Sequence, residues 1–237
     1  MDRYLHLISF DDGGWGWLLL KGAGLTIGLA VATLPFGLAL GLLVSLGQRS
    51  ESKLARLVAT LFTTVFRGLP ELLTLYLVYF GFPVAVQKLL STLGFAGSFN
   101  MPPFVAGMVA LGLVIAAFSS EVWNGALNAI GQGQREAARS LGLNATQSFR
   151  LVVLPQLYRV ALPGIGNNWM VLLKDTSLVS VITLQELMFV TTRANVVTKE
   201  AFFFFGLASL IYLFFSIVSM AGLGRLEAMA NRGYQAR

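Results

Sequence analysis

Asn168 and Asp175 stand seven residues apart inside an otherwise apolar stretch. Seven residues make about two helical turns, so the two side chains project from one stripe with Val171 and Leu172 between them. An anionic Asp175 suits a guanidinium or ammonium group, and the Asn168 amide offers both a donor and an acceptor. The plainer reading is that Asp175 neutralises Lys174 or Arg67. Consecutive helical residues point about 100° apart, which makes Lys174 a poor direct partner. Three further charges interrupt apolar sequence: Arg67, Glu71 and Glu121. Each costs roughly 2.5 to 3.5 kcal/mol at the centre of a membrane helix, so each needs a partner or a purpose. Arg67 and Glu71 are four apart and can pair along one helical face. Structural pairing or gating is the favoured role for these three, with direct ligand contact the alternative. Thr176, Ser177 and Ser180 can hydrogen-bond within their own helix or to a neighbour.

Little else in the chain can do chemistry. It has no cysteine and one histidine, His6, which lies outside the apolar runs. Thiolate catalysis and cysteine metal sites are therefore excluded, and there is no GxxxxGK[ST] phosphate loop, no HExxH and no GxSxG. The chain is read as a non-enzyme without a metal or cofactor of its own.

The elements that must position these residues are long and apolar. Of 237 residues 56% are hydrophobic and 12% charged, against about 25% charged in an ordinary soluble domain. Five stretches, about 18–46, 54–80, 102–123, 158–184 and 201–224, reach the roughly 20 residues that span a bilayer. The expectation is an all-α integral membrane protein, one transmembrane domain over 1–237 with about five crossings. The start lacks the short apolar run and cleavage site of a signal peptide and is expected to be retained.

Orientation follows from the Lys and Arg count, since cytoplasmic loops hold more of them. Arg49, Lys53 and Arg56 fall on one side with Arg135, Arg139, Arg150, Arg159, Arg225, Arg232 and Arg237. Arg3, Lys88, Arg193 and Lys199 fall on the other, with Lys21 near a helix end. The bias predicts an external N-terminus and a cytoplasmic C-terminus. The net charge of +6 is spent on this asymmetry, not on a nucleic-acid surface. Trp15, Trp17 and Phe202 to Phe205 read as interfacial anchors, and Gly22, Gly24, Gly28, Gly37 and Gly41 as sites of close helix approach.

The piece between the third and fourth stretches reads GQREAARSLGLNATQSFRLVVLP. Residues 134–141 are good helix formers, Gly142 can end that helix in a left-handed conformation, and Asn144 can cap a second short helix. Two short helices at an angle form a rigid knob. The spacing of Glu136, Ala137 and Ala138, then Gly142, then Val152, Leu154 and Pro155 resembles the EAA loop of ATP-binding-cassette importer permeases. The strings RGLPELLTLYLVYFG at 67–81 and ALPGIGNNWMVLLKDTSLVSVI at 161–182 narrow the resemblance to the polar amino-acid permeases, for histidine, lysine, arginine, ornithine and opines.

The resemblance implies that the loop, about 132–155, meets an ATPase through Glu136, Ala137, Ala138, Gly142 and Pro155. It implies that ATP and magnesium bind that partner, and that a second permease subunit and an external solute-binding protein complete an importer in the bacterial inner membrane. In such permeases the positions matching Asn168 and Asp175 contact the amino-acid substrate. Asn124 departs from the pattern, where an arginine is expected. The rival reading is an ion-coupled secondary transporter or channel with Glu71, Glu121 and Asp175 as ion sites.

Overall fold

Backbone that meets lipid must satisfy its own hydrogen bonds, and a helix does so within one segment. The computed structural model describes residues 2–11, 13–95 and 99–231, without the side chains of Asp2, Arg3 and Arg135. Of the charges counted above, Arg232 and Arg237 lie outside the described residues, as do the side chains of Arg3 and Arg135. The described residues form helices and no strands: α1 Asp2–Leu7, α2 Gly16–Gln48, α3 Lys53–Gly68 and α4 Glu71–Tyr76. A π-helical segment, Leu77–Gly81, carries α4 into α5, Phe82–Thr92. α6 Pro103–Ala129, α7 Gln132–Ser140 and α8 Ala145–Ser148 follow. A second π-helical segment, Phe149–Val153, leads into α9 Leu154–Asp175, which tightens into a 3-10 segment at Thr176–Ile182 before α10 Leu187–Thr198 and α11 Ala201–Asn231.

Four helices among these residues are long and apolar enough to cross a membrane: Gly16–Gln48, Glu71–Thr92, Pro103–Ala129 and Ala201–Asn231. The second differs from the stretch 54–80 expected from hydropathy. Leu69 and Pro70 are extended, with ψ near 141° and 137°, because proline disfavours helical backbone in the residue before it and supplies no N–H itself. The 16-residue α3 therefore stops short, and the apolar helix runs from 71 to 92 through what reads as a polar loop. The fourth stretch is also divided, since α9 ends its α-helical part at Asp175.

Small residues set the central packing. A Cβ on Gly37 would lie 2.6 Å from Ile115, and Gly41 abuts Ser119 while Gly112 abuts Phe36. The rising order on both helices makes α2 and α6 parallel. Gly107 meets Val179 and Gly164 meets Val122, so α9 and its extension run antiparallel to α6. Gly22 packs on Glu186 and Leu187, whereas a Cβ on Gly24 or Gly28 would meet nothing within 4 Å among the described residues. Leu29, Leu75, Leu111, Ile115, Leu172 and Leu173 fill the centre. At one end of the bundle Ser45 Oγ donates to Asn124 Oδ1 (2.8 Å), Asn124 Nδ2 to Gln48 Oε1 (2.5 Å) and Gln48 Nε2 to Thr63 Oγ1 (3.0 Å). This chain of neutral groups ties α2, α6 and α3 together.

Candidate functional site

Asn168, Leu172 and Asp175 occupy one side of α9, at spacings of four and three. Leu172 is fully buried and Asp175 partly so, while Val171 between them turns outward. Asn168 is 6% exposed, and its Nδ2 has no hydrogen-bond partner among the described residues. A buried amide donor left unpaired costs about 1 to 3 kcal/mol unless something arrives to accept from it. Thr74 Oγ1 on α4 is buried and unpaired as well. Helix α4 packs against the 3-10 segment that follows Asp175, and Glu71, at the first position of α4, is close enough to Asp175 for the two carboxylates to interact electrostatically. Two acids thus act on each other, while the Asn168 amide and the Thr74 hydroxyl are each buried without a partner among the described residues.

The expected Arg67–Glu71 pair along one helix does not form. The extended Leu69–Pro70 step separates them, and Arg67 Nη1 instead lies 2.9 Å from Glu121 Oε1 on α6. Its guanidinium also sits 5.7 Å from the centre of the Phe118 ring. Both partners of the ion pair are about half exposed. The break therefore leaves Arg67 paired with α6 and puts Glu71 at the start of a separate helix, α4.

The loop after α6 folds as its residues suggest. α7 ends at Ser140, and two residues on stands Gly142, whose φ of +79° is left-handed, a conformation glycine adopts without steric cost. The Gly142 N–H donates to Arg139 O at 2.9 Å and the Leu143 N–H to Ala138 O at 3.1 Å. Asn144 starts α8 with a reciprocal cap: Gln147 N–H donates to Asn144 Oδ1 (2.9 Å), and Asn144 N–H to Gln147 Oε1 (3.0 Å). Glu136 and Ala137 are exposed, Ala138 is buried, and Pro155 stands in the first turn of α9.

One buried acid was not singled out from the sequence. Glu186 is 0% exposed and caps α10, accepting from Met188 N and Phe189 N, both at 2.8 Å. Thr26 Oγ1 of α2 (3.2 Å) and the Tyr212 hydroxyl of α11 (3.4 Å) also donate to it. The signal available was a polar step, Thr183 to Glu186, just before a new apolar run. Asn124, where the resemblance leads one to expect an arginine, bridges Ser45 and Gln48.

The family model for the binding-protein-dependent transport system inner membrane component matches residues 34–229. This chain belongs to that family. The octopine transport system permease protein OccQ of Rhizobium meliloti is 37% identical over 97% of each chain. The histidine/lysine/arginine/ornithine transport system permease protein HisQ of Escherichia coli K12 is 36% identical over 93% of this chain and 96% of its own. The arginine ABC transporter permease protein ArtQ of the same strain is 38% identical over 90% and 95%. A crystal structure of an amino acid ABC transporter with histidines superposes with a TM-score of 0.76 at 31% identity, over 91% of this chain and 95% of that one. The MetNI methionine ABC transporter, in an inward-facing form, shares the fold at TM-score 0.71 and 18% identity, over 91% and 97%. As an inner membrane component of a binding-protein-dependent system, the chain is a transport protein.

Proposed function

We propose that this chain is the permease subunit of an ATP-driven importer of basic amino acids or opines in the bacterial inner membrane. The observation that carries the reading is the side of α9 that sets an unpaired Asn168 amide on the same stripe as Asp175, a carboxylate on which Glu71 of α4 acts. A cationic side chain satisfies the acids, and the amide addresses the other end of the cargo. Asn168 and Asp175 are the proposed substrate contacts. The names of similar permeases, for octopine and for histidine, lysine, arginine and ornithine, support that substrate class.

The membrane arrangement proposed has five crossings: α2, α4–α5, α6, α9 and α11, with the N-terminus outside and α7–α8 cytoplasmic. An ATPase subunit that binds ATP and magnesium would press on α7–α8 through Glu136, Ala137, Ala138 and Gly142, with Pro155 fixing the return into α9. A second permease subunit would cover apolar surface left bare here, such as Leu210, Leu213, Phe214 and Ile217 of α11. An external binding protein would deliver cargo. Family membership does not favour the ion-coupled alternative.

The test is uptake by the reconstituted importer, screened with lysine, arginine, histidine, ornithine and opines against neutral and acidic amino acids. ATP-dependent uptake confined to neutral or acidic cargo would refute the substrate class. Uptake driven by an ion gradient without ATP would refute the mechanism.

A further inference from the structure

Residues of α7 and α8 and of the ends of α2 and α6 line one cleft of about 480 Å³. Its polar lining includes Arg49, Arg139 and Ser148, and its apolar lining includes Leu46, Leu127 and Phe149. None of the lining residues is acidic. Arg49 Nη1 donates to Asn128 Oδ1 at 2.7 Å, a neutral acceptor, and Arg49 makes no ion pair among the described residues. The Arg139 guanidinium makes no hydrogen bond or ion pair among the described residues. Two guanidinium groups without a counter-charge beside apolar wall raise the local concentration of an anion, and arginine matches phosphate oxygens in a two-pronged geometry.

Phosphate reaches such a place either as a free ion or as a lipid headgroup. The apolar side decides between them, because Leu46 is 42% exposed at the cleft and a free ion gains nothing from it. We infer that the cleft is a site for an anionic phospholipid, its phosphate held by Arg49 and Arg139 and its acyl chain lying along Leu46. The inference rests on the proposed orientation, which puts this end of α2 and α6 at the cytoplasmic leaflet. The lipid joins the end of α2 to α7, so leaflet charge is felt by the loop proposed to meet the ATPase.

The experiment uses the whole importer in nanodiscs of phosphatidylcholine with and without phosphatidylglycerol. Lipid retained after detergent extraction is counted by native mass spectrometry. Phosphatidylglycerol should be retained in preference to phosphatidylcholine. Arg49→Gln and Arg139→Gln should each lower its retention about fivefold, the effect of one basic residue near an anionic surface. Arg49→Lys, which keeps the charge, should lose less, and Lys88→Gln at the opposite end should lose nothing. Equal retention of the two lipids, or unchanged retention in both glutamine variants, overturns the site. Inorganic phosphate binding to the delipidated complex through the same arginines, with no preference among lipids, overturns the lipid assignment. Retention is read without transport. A complex that holds phosphatidylglycerol through both arginines but carries no amino acid refutes the proposed function and leaves the lipid site standing.

Discussion

At Asp175 the α-helical part of α9 ends, and a carboxylate is left partly buried with Glu71 acting on it. A cation relieves both acids, so the loaded site is favoured over the empty one. Asp175→Asn keeps the shape and removes the charge. It should lower lysine or arginine uptake at least about tenfold, for a loss of roughly 1.4 kcal/mol, and affect glutamine far less. Radiolabelled uptake by the reconstituted importer decides it, since an equal fall for both cargoes would make Asp175 a structural residue. That Asn168 and Asp175 share a helical face was legible because seven is a helical interval and both lie in the α-helical part of α9. The partners of Glu71 and Arg67 were not, since they depend on which helix arrives from elsewhere in the chain. Glu186 escaped notice for the same reason, as Thr26 and Tyr212 lie 160 and 26 residues away.

Between elements, the Leu69–Pro70 break decides what α3 can do. With its continuation turned aside, α3 is held to α6 by the Arg67–Glu121 pair and to α2 and α6 by the Asn124 chain. A pair this exposed contributes about 0 to 1 kcal/mol. Glu121→Gln should therefore lower the melting temperature of the purified complex only slightly and leave the order of substrate preference unchanged. A changed order would place Glu121 in the cargo's path. Hydropathy saw one apolar run across this break because averaging over a window hides a single proline. The α7–α8 loop was readable in detail, since glycine, a polar cap and good helix formers act over a few residues. Gly142→Val puts a β-branched side chain at φ +79°, where the backbone is strained by about 1 to 3 kcal/mol. Insertion should be normal while ATP hydrolysis no longer drives uptake, and normal uptake with unchanged hydrolysis would remove the loop from coupling.

For the whole molecule the charge asymmetry makes a simple demand. Position 139 should be cytoplasmic and position 88 external. The chain has no cysteine, so a single cysteine at either position reports its side to a membrane-impermeant thiol reagent added outside intact cells. Labelling at 88 and protection at 139 are expected, and the opposite pattern reverses the arrangement. The parallel packing of α2 on α6 was beyond the sequence, because the glycine spacing states that something approaches without saying what. That packing also bears on biogenesis. The ribosome makes α2 first, and α3 to α5 must emerge before α6 exists to fill the notches at Gly37 and Gly41. In that interval the notches of α2, the first long helix, have no α6 to fill them, and the contacts that α9 and α10 make with α2 come later still.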